Sequence, residues 1–255
     1  MKDFLSIADL DRPTIEEIFD ISHQLKYVPS QHRPLDGKTL VLLFEKSSTR
    51  TRASFQIGMY HLGGKAIYLS ATDSQIGRGE SIMDTAKVLS RYADATVIRT
   101  YDHTRLLEYA KFADHSVING LSDLLHPCQV LADIFTVKEK FDRPIEGMKI
   151  CYLGDGNNMT NSFIHASVKL GFHFTVACPE GFLPDEKVMA YAREQNANVE
   201  YFSDPAEAIK DSDVVILMFG PLWILRKSLK KKASLEMTTL NVKRKSANKY
   251  LCLIR

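Results

Sequence analysis

The alternation of short apolar runs with helical patterns is the feature that most restricts the fold of this chain. Eight apolar, β-branched runs recur within the first 218 residues, and helical patterns lie between them. The runs are TLVLLF (39–44), KAIYL (65–69), ATVIRT (95–100), SVING (116–120), MKICYLGD (148–155), FTVACP (174–179), VEYF (199–202) and DVVILM (213–218). Near-continuous apolar strands separated by helices are typical of parallel sheets buried on both faces. The sequence therefore predicts an α/β protein.

The eight runs fall into two groups of four, separated by a long helical stretch and the turn-like DRPIEG. We predict two α/β domains, each a parallel sheet flanked by helices. The first spans residues 1–132, and the second spans 146–216 and is incomplete. Residues 217–255 form an aberrant basic tail, with ten Lys and Arg against one acid.

Composition narrows the class of protein. With 45% hydrophobic and 25% charged residues the chain is typical of soluble globular proteins. It has no run of 18 apolar residues, and acidic residues stand where a signal peptide would be apolar, so we expect a cytoplasmic protein with no membrane contact. Four cysteines without a C-x-x-C pair, and histidines without ligand spacing, predict reduced thiols and no metal.

The run FEKSSTRTR combines hydroxyl and guanidinium groups at the end of a predicted strand, where a helix begins. A helix N-terminus holds anions through its unpaired N–H groups, and arginines match a phosphate with planar donor pairs. The run therefore indicates a phosphate site. An ordinary Ser/Thr helix cap with exposed arginines is the alternative that this run alone leaves open.

Further polar residues follow other predicted strands. Arg99 closes the third strand, and His126 and Gln129 flank a helix start at Pro127. The turn GDGNNMTNS follows the fifth strand but does not match G-x-G-x-x-G, so we expect no nucleotide cofactor, and no cofactor of another kind.

Five motifs in this order resemble the transcarbamoylase family. They are FEKSSTRTR, SQIGRGES, VIRTYDH, HPCQVLAD and GDGNNM, and the likeness runs to about residue 216. FEKxSTRTR with HPCQ is similar to the ornithine branch rather than to the aspartate branch, which tends to show HPTQ. The resemblance implies transfer of a carbamoyl group from carbamoyl phosphate to the δ-amine of L-ornithine, giving L-citrulline and phosphate, in arginine biosynthesis.

The resemblance also implies roles for single residues. Arg99 and His126 would be the catalytic pair, and Asn158 would bind the α-amino and carboxylate groups of ornithine. Gln75 would reach the site of a neighbouring subunit, which implies a homotrimer. The residues implied to bind carbamoyl phosphate are Ser48, Thr49, Arg50, Thr51, Gln75, Arg99, His126 and Gln129.

The chain departs from the family pattern after DVV. The family continues approximately YTDVWxSMG and later HCLP, which together hold the ornithine side chain, whereas this chain reads ILMFGPLW. Two other interpretations therefore stay open: a non-catalytic remnant that binds carbamoyl phosphate, and a carbamoyltransferase for another amine such as putrescine. A basic tail can also indicate nucleic-acid binding, but this one lacks interleaved aromatic residues, and we expect no nucleic-acid partner.

We predict that a single frameshift near Ile216 produced the aberrant tail. Read one base earlier, the codons of ILMFGPLW permit Thr and Asp, force Val at the junction of Met218 and Phe219, and then permit Trp, Ala, Ser and Met. Resequencing codons 210–225 checks this prediction, which fails if no reading frame there encodes DVWxSM. Because the normal end of the second domain would be lost, we also expect low stability or solubility.

Overall fold

The computed structural model describes residues 2–27, 33–70, 79–141, 143–218 and 250–254. Contacts within the chain divide it into two compact units, Met1–Leu131 and Ala132–Arg255. The strands are β1 Thr39–Phe44, β2 Lys65–Ser70, β3 Ala95–Arg99, β4 Ser116–Leu121, β5 Lys149–Leu153, β6 His173–Ala177, β7 Val199–Phe202, β8 Val214–Met218 and β9 Tyr250–Ile254. The helices are α1 Arg12–Tyr27, α2 Thr49–His61, α3 Ile82–Leu89, α4 His103–Phe112, α5 Pro127–Lys140, α6 Asn158–Leu170, α7 Glu186–Glu194 and α8 Pro205–Ile209.

The first unit contains a four-stranded parallel sheet in the order β2-β1-β3-β4. Its central strand β1 pairs with β3 so that Phe44 lies opposite Arg99. The N-terminal segment covers the outer side of β4, where the Phe4 N–H donates to the Val117 carbonyl at 2.8 Å and the Phe4 carbonyl accepts from Asn119 N–H at 2.8 Å. This edge of the sheet is thereby closed to pairing with another strand.

Alternate residues of β1 point to opposite faces of the sheet, and each face has its own core. Val41 and Leu43 pack with residues of α3 and α4, including Leu106 and Tyr109. The other face packs Leu40, Leu42 and Phe44 of β1 with Val97 of β3 and Met59 of α2. Burial on both faces explains why the strand reads as an unbroken apolar run.

The second unit repeats the parallel arrangement in a sheet of order β7-β6-β5-β8-β9. One face carries an aromatic cluster in which Phe163 of α6 stacks on Phe174 of β6, with ring centroids 5.6 Å apart. The opposite face packs Cys151 and Ala177 against Ala208 of α8. Helix α6 is buried along its length from Met159 to Ser167, which makes it a core helix of this unit.

The two parallel α/β sheets confirm the fold class predicted from the alternating pattern. Eight of the nine strands among the described residues fall on the predicted apolar runs. The ninth, β9, was not predicted because it lies in the basic tail, and it pairs in parallel with β8, Val214 opposite Tyr250. Residues 219–249 and Arg255 of that tail lie outside the described residues.

An aspartate bridges two strand beginnings in each sheet. Asp94, before β3, accepts from the Thr39 N–H of β1 at 2.8 Å and from Lys38 Nζ at 2.9 Å, while its own N–H donates to the Thr39 carbonyl at 2.9 Å. In the second unit, Asp213 before β8 accepts from the Lys149 N–H at 2.9 Å and its N–H donates to the Lys149 carbonyl at 2.8 Å. Each aspartate thus fixes the register of the central strand against its neighbour.

We expect Asp94→Asn to destabilise the first unit by about 1 kcal/mol, since the ionised carboxylate accepts a charge-assisted bond at a site that is partly screened by water. The Lys38 and Thr39 hydrogen bonds lower the pKa of Asp94, so the folded state binds its proton less readily than the unfolded state. The stabilisation is therefore present above the unfolded pKa of about 4 and is lost as the pH falls through the folded value.

Urea unfolding of wild type and Asp94→Asn between pH 7 and pH 3.5 measures this difference. The control is Asp114→Asn, which breaks the exposed 3.1 Å ion pair with Lys87 without touching a strand N–H. Equal destabilisation by both variants would contradict the bridging role of Asp94.

Candidate functional site

The N-terminus of α2 is built by Ser48 and Thr51, at the carboxyl end of β1. Ser48 is the N-cap in an extended conformation, and its Oγ accepts from the Thr51 N–H at 3.3 Å. The Ser48 hydroxyl donates in turn to Thr51 Oγ1 at 3.0 Å. The other N–H groups of the first helical turn have no partner inside the helix, so this turn can donate to an anion.

Arg99 lies beside this helix start because β3 ends next to β1. Its Nη1 donates to Thr51 Oγ1 at 3.4 Å, and the residue is only 9% exposed. Burial lowers the pKa of its guanidinium. Among the described residues its buried Nε has no hydrogen-bond partner, so a ligand acceptor would satisfy a donor that the protein leaves unused.

His126 directly precedes α5 and interacts electrostatically with Arg99. Burial first, and then the neighbouring Arg99 guanidinium, lower the pKa of its imidazole to about 4. At neutral pH the ring is therefore uncharged, and it can donate one N–H without adding a second cation to the site. Ser48, Thr51 and Arg99 thus come together in the first unit, and His126 lies near enough to Arg99 for the two side chains to interact electrostatically.

The remaining predicted residues have different surroundings. Thr49 and Arg50 begin α2 and are exposed to solvent, and Gln129 is half-buried in the first turn of α5. Gln75 lies outside the described residues. Asn158 is the first residue of α6 and belongs to the second unit.

The turn before Asn158 is tightly held against the segment that follows β6. The Gly156 N–H donates to the Phe182 carbonyl at 2.7 Å, and the Asp185 N–H donates to Asn161 Oδ1 at 3.1 Å. A Cβ at Gly156 would lie 2.2 Å from the backbone of Leu183 and Pro184, so only glycine fits there. Asn157 caps α6, its Oδ1 accepting from the Met159 N–H at 2.9 Å.

The cysteines among the described residues are thiols that stay protonated at neutral pH. Cys128, Cys151 and Cys178 are free thiols, and burial raises their pKa values to about 12, 11 and 11. In the same residues no three His, Cys, Asp or Glu side chains are grouped as metal ligands, and no helix has the length and apolarity needed to cross a bilayer.

Sequence reasoning missed Glu45, Thr100 and Arg105, which surround the backbone of Arg99. The Thr100 hydroxyl donates to Glu45 Oε2, and Arg105 Nε donates to Glu45 Oε1 at 2.9 Å. Glu45 stands within FEKSSTRTR, but no local pattern relates it to Arg105, which is 60 residues away.

The structure thus consists of two parallel α/β units, and the first holds a buried arginine at a helix N-terminus. Residues 2–139 match the family model of the aspartate/ornithine carbamoyltransferase carbamoyl-P binding domain, and residues 146–242 match that of the Asp/Orn binding domain. The second match extends into the basic tail, beyond Ile216.

Individual proteins agree with the family models. An ornithine carbamoyltransferase of Methanocorpusculum labreanum is 48% identical over 226 residues, covering 88% of this chain and 73% of the relative. An anabolic ornithine carbamoyltransferase of Pyrococcus furiosus is 49% identical over 222 residues, covering 84% and 70%. The solved structure of the ornithine carbamoyltransferase from Pyrococcus furiosus superposes with a TM-score of 0.82 at 44% identity, covering 91% of this chain and 76% of that one. The chain therefore belongs to the aspartate/ornithine carbamoyltransferase family, and it is similar to the ornithine enzymes.

We expect the His126 imidazole to titrate near pH 4 in the folded protein. Because an unfolded histidine binds its proton near pH 6.5, the unfolded state holds more protons between these values, and stability falls as the pH is lowered through this window. NMR titration of the ring proton, assigned with His126→Gln, measures the pKa directly.

Arg99→Ala is the companion variant for this titration. It should raise the pKa of His126, because it removes a nearby positive charge and opens the site to water. A midpoint between pH 6 and 7 in the wild-type protein would contradict the buried, cation-flanked environment.

Proposed function

We propose that this chain binds carbamoyl phosphate in its first unit and transfers the carbamoyl group to the δ-amine of L-ornithine, giving L-citrulline and phosphate, with impaired turnover. The observation that carries the proposal is the contact of Arg99 Nη1 with Thr51 Oγ1, which joins a buried cation to the start of α2. A dianionic phosphate next to a carbonyl group matches both the helix N-terminus and the unused Arg99 donor.

In this proposal the first turn of α2 and its flanking hydroxyls hold the phosphate. Ser48, Thr49 and Thr51 supply hydroxyl groups, and the exposed Arg50 closes over the bound anion. Holding the phosphate here neutralises the leaving group and lowers the barrier to its departure. Gln129, at the first turn of α5, and Gln75, from a neighbouring subunit, complete the binding of carbamoyl phosphate.

Arg99 and His126 act on the carbonyl group. Attack by the δ-amine places negative charge on the carbonyl oxygen, and two donors already in position stabilise that charge as an oxyanion hole does. A neutral His126 suits this role because it donates a hydrogen bond while Arg99 carries the positive charge. The C–N bond forms first, the C–O bond to phosphate then breaks as the carbonyl is restored, and the proton of the amine passes to the departing phosphate.

The proposal of impaired turnover rests on the acceptor side. Asn158 is present to bind the α-amino and carboxylate groups of ornithine, but the sequence has no DVWxSM after DVV. A carbamoyl-phosphate-binding protein without turnover is the alternative that this absence favours. The anabolic name of the Pyrococcus furiosus relative supports a place in arginine biosynthesis, and the free thiols support the cytoplasm.

We further propose a homotrimer. Strand β2 is an edge of the first sheet, and its Ile67 is 50% exposed. On α2, which packs beside β2, Ile57 and Tyr60 are 54% and 76% exposed. Apolar side chains beside an open sheet edge are typical of a surface covered by another subunit.

Isothermal titration with carbamoyl phosphate, a citrulline assay and light scattering test these proposals together. We expect binding, a trimer, and little citrulline. Arg99→Ala should weaken carbamoyl phosphate binding roughly 10- to 100-fold, because it removes charged hydrogen bonds. The control Arg91→Ala, at an exposed arginine of the same unit, should bind as wild type.

Binding with no citrulline at all would favour the non-catalytic alternative. Absence of carbamoyl phosphate binding would overturn the proposed function, and a monomer would overturn the proposed assembly. Citrulline formation at the rate of an intact relative would contradict the impairment.

A further inference from the structure

We infer that Glu45 is a positioning residue that sets the place of Arg99 relative to the N-terminus of α2. The inference rests on the proposed function, because it concerns the same anion site. Glu45 follows directly after β1 and stands three positions before the cap Ser48. It therefore connects the strand end that pairs with Arg99 to the helix that receives the anion.

The backbone of Glu45 holds the backbone of Arg99. The Glu45 N–H donates to the Arg99 carbonyl at 2.8 Å, and the Lys46 N–H reaches the same oxygen at 3.5 Å. On the other side of β3 the register with β4 shifts between Ile98 and Arg99. The pairing then continues with Arg99 opposite Leu121, and the Thr100 N–H donates to the Leu121 carbonyl at 3.0 Å, so the bonds from Glu45 and Lys46 hold the β1 side of the Arg99 main chain.

The side chain of Glu45 holds the residues that follow. One carboxylate oxygen accepts from the Thr100 hydroxyl, and the other accepts from Arg105 Nε at 2.9 Å and Nη2 at 2.8 Å. Glu45 thus joins the end of β1, the end of β3 and the first turns of α4. Glu45 thus contacts the Arg99 carbonyl with its main chain and the Thr100 hydroxyl with its side chain.

The Glu45–Arg105 ion pair is partly exposed to solvent. Apolar side chains of Leu43, Ile82 and Ile98 line a small pocket together with Glu45, Thr100, Arg105 and Tyr109. The Glu45 and Arg105 side chains are 20% and 39% exposed, so water screens their attraction only in part. Pairing with Arg105 also offsets the negative charge of Glu45, which would otherwise repel an anion held at α2.

Glu45→Gln separates this role from simple stability. The amide keeps one acceptor for Thr100 but leaves Arg105 without its carboxylate. We expect carbamoyl phosphate to bind about tenfold more weakly, because a displaced Arg99 no longer meets the ligand. The matched control is Asp94→Asn, an acid that also joins β1 and β3 and pairs with a lysine, but at the opposite ends of the strands. It should leave the affinity unchanged.

A double-mutant cycle shows whether Glu45 acts through Arg99. If it does, Glu45→Gln in the Arg99→Ala background should change the dissociation constant less than twofold. An independent tenfold loss in that background, or no loss in the wild-type background, would overturn the inference. If Arg99→Ala alone leaves binding intact, the proposed function itself fails.

A ligand-free measurement keeps the inference testable even if binding becomes too weak to titrate. Burial and, after it, the Arg99 guanidinium lower the pKa of His126, so a displaced Arg99 should let the NMR midpoint of His126 rise in Glu45→Gln but not in Asp94→Asn. An unchanged midpoint would overturn the inference whether or not carbamoyl phosphate is the ligand. Should Glu45→Gln fail to fold, Arg105→Gln serves in its place, with Arg105→Lys expected to restore part of the effect.

Discussion

The parallel pairing of β1 with β3 is the constraint on which the site depends. It places Phe44 opposite Arg99, so that the loop leaving β1 and the cation ending β3 emerge at the same edge of the sheet. Helix α2 starts five positions after Phe44, at Thr49, and Thr51 of its first turn accepts from the Arg99 guanidinium. A shift of one residue in this register would turn Arg99 to the other face. The position of Arg99 at the site therefore depends on the register of this sheet.

Burying Arg99 has an energetic consequence that the rest of the site reflects. Arg99 is 9% exposed as a whole residue, so its side chain has lost most of its hydration, and only part of its donor capacity is used by Thr51. Because burial and the Arg99 charge lower the pKa of His126 to about 4, its imidazole is neutral at pH 7 and adds no second buried charge. A negatively charged partner would stabilise this buried positive charge, and it would find hydrogen-bond donors already in position.

The second unit has the same parallel strand arrangement but different residues at its strand ends. Asp213 bridges β5 and β8 as Asp94 bridges β1 and β3, although the two units share no visible sequence repeat. At the carboxyl end of β5, however, the turn carries amides and a glycine pressed against Leu183 rather than a cation. Two units built by one rule thus present different groups at their strand ends, as expected of a protein that handles two different substrates.

Local sequence was sufficient for strands β1 to β8 and for the helix start at Pro127, because the strands follow from the apolar pattern and the helix start from a fixed proline angle. The motifs also identified Arg99 and His126 as candidates. The contact of Arg99 with Thr51, the depressed pKa of His126 and the hold of Glu45 on Thr100 and Arg105 join residues 27 to 60 positions apart, and only the folded chain brings them together. Strand β9 could likewise be identified only from the tertiary structure, because it lies outside the alternation of apolar runs and helical patterns. Strands β1 to β8 and the helices between them could be predicted from the residues alone, because propensity and periodicity are local. The tertiary structure decided which side chains meet and how charged they are, because register and burial depend on the whole sheet.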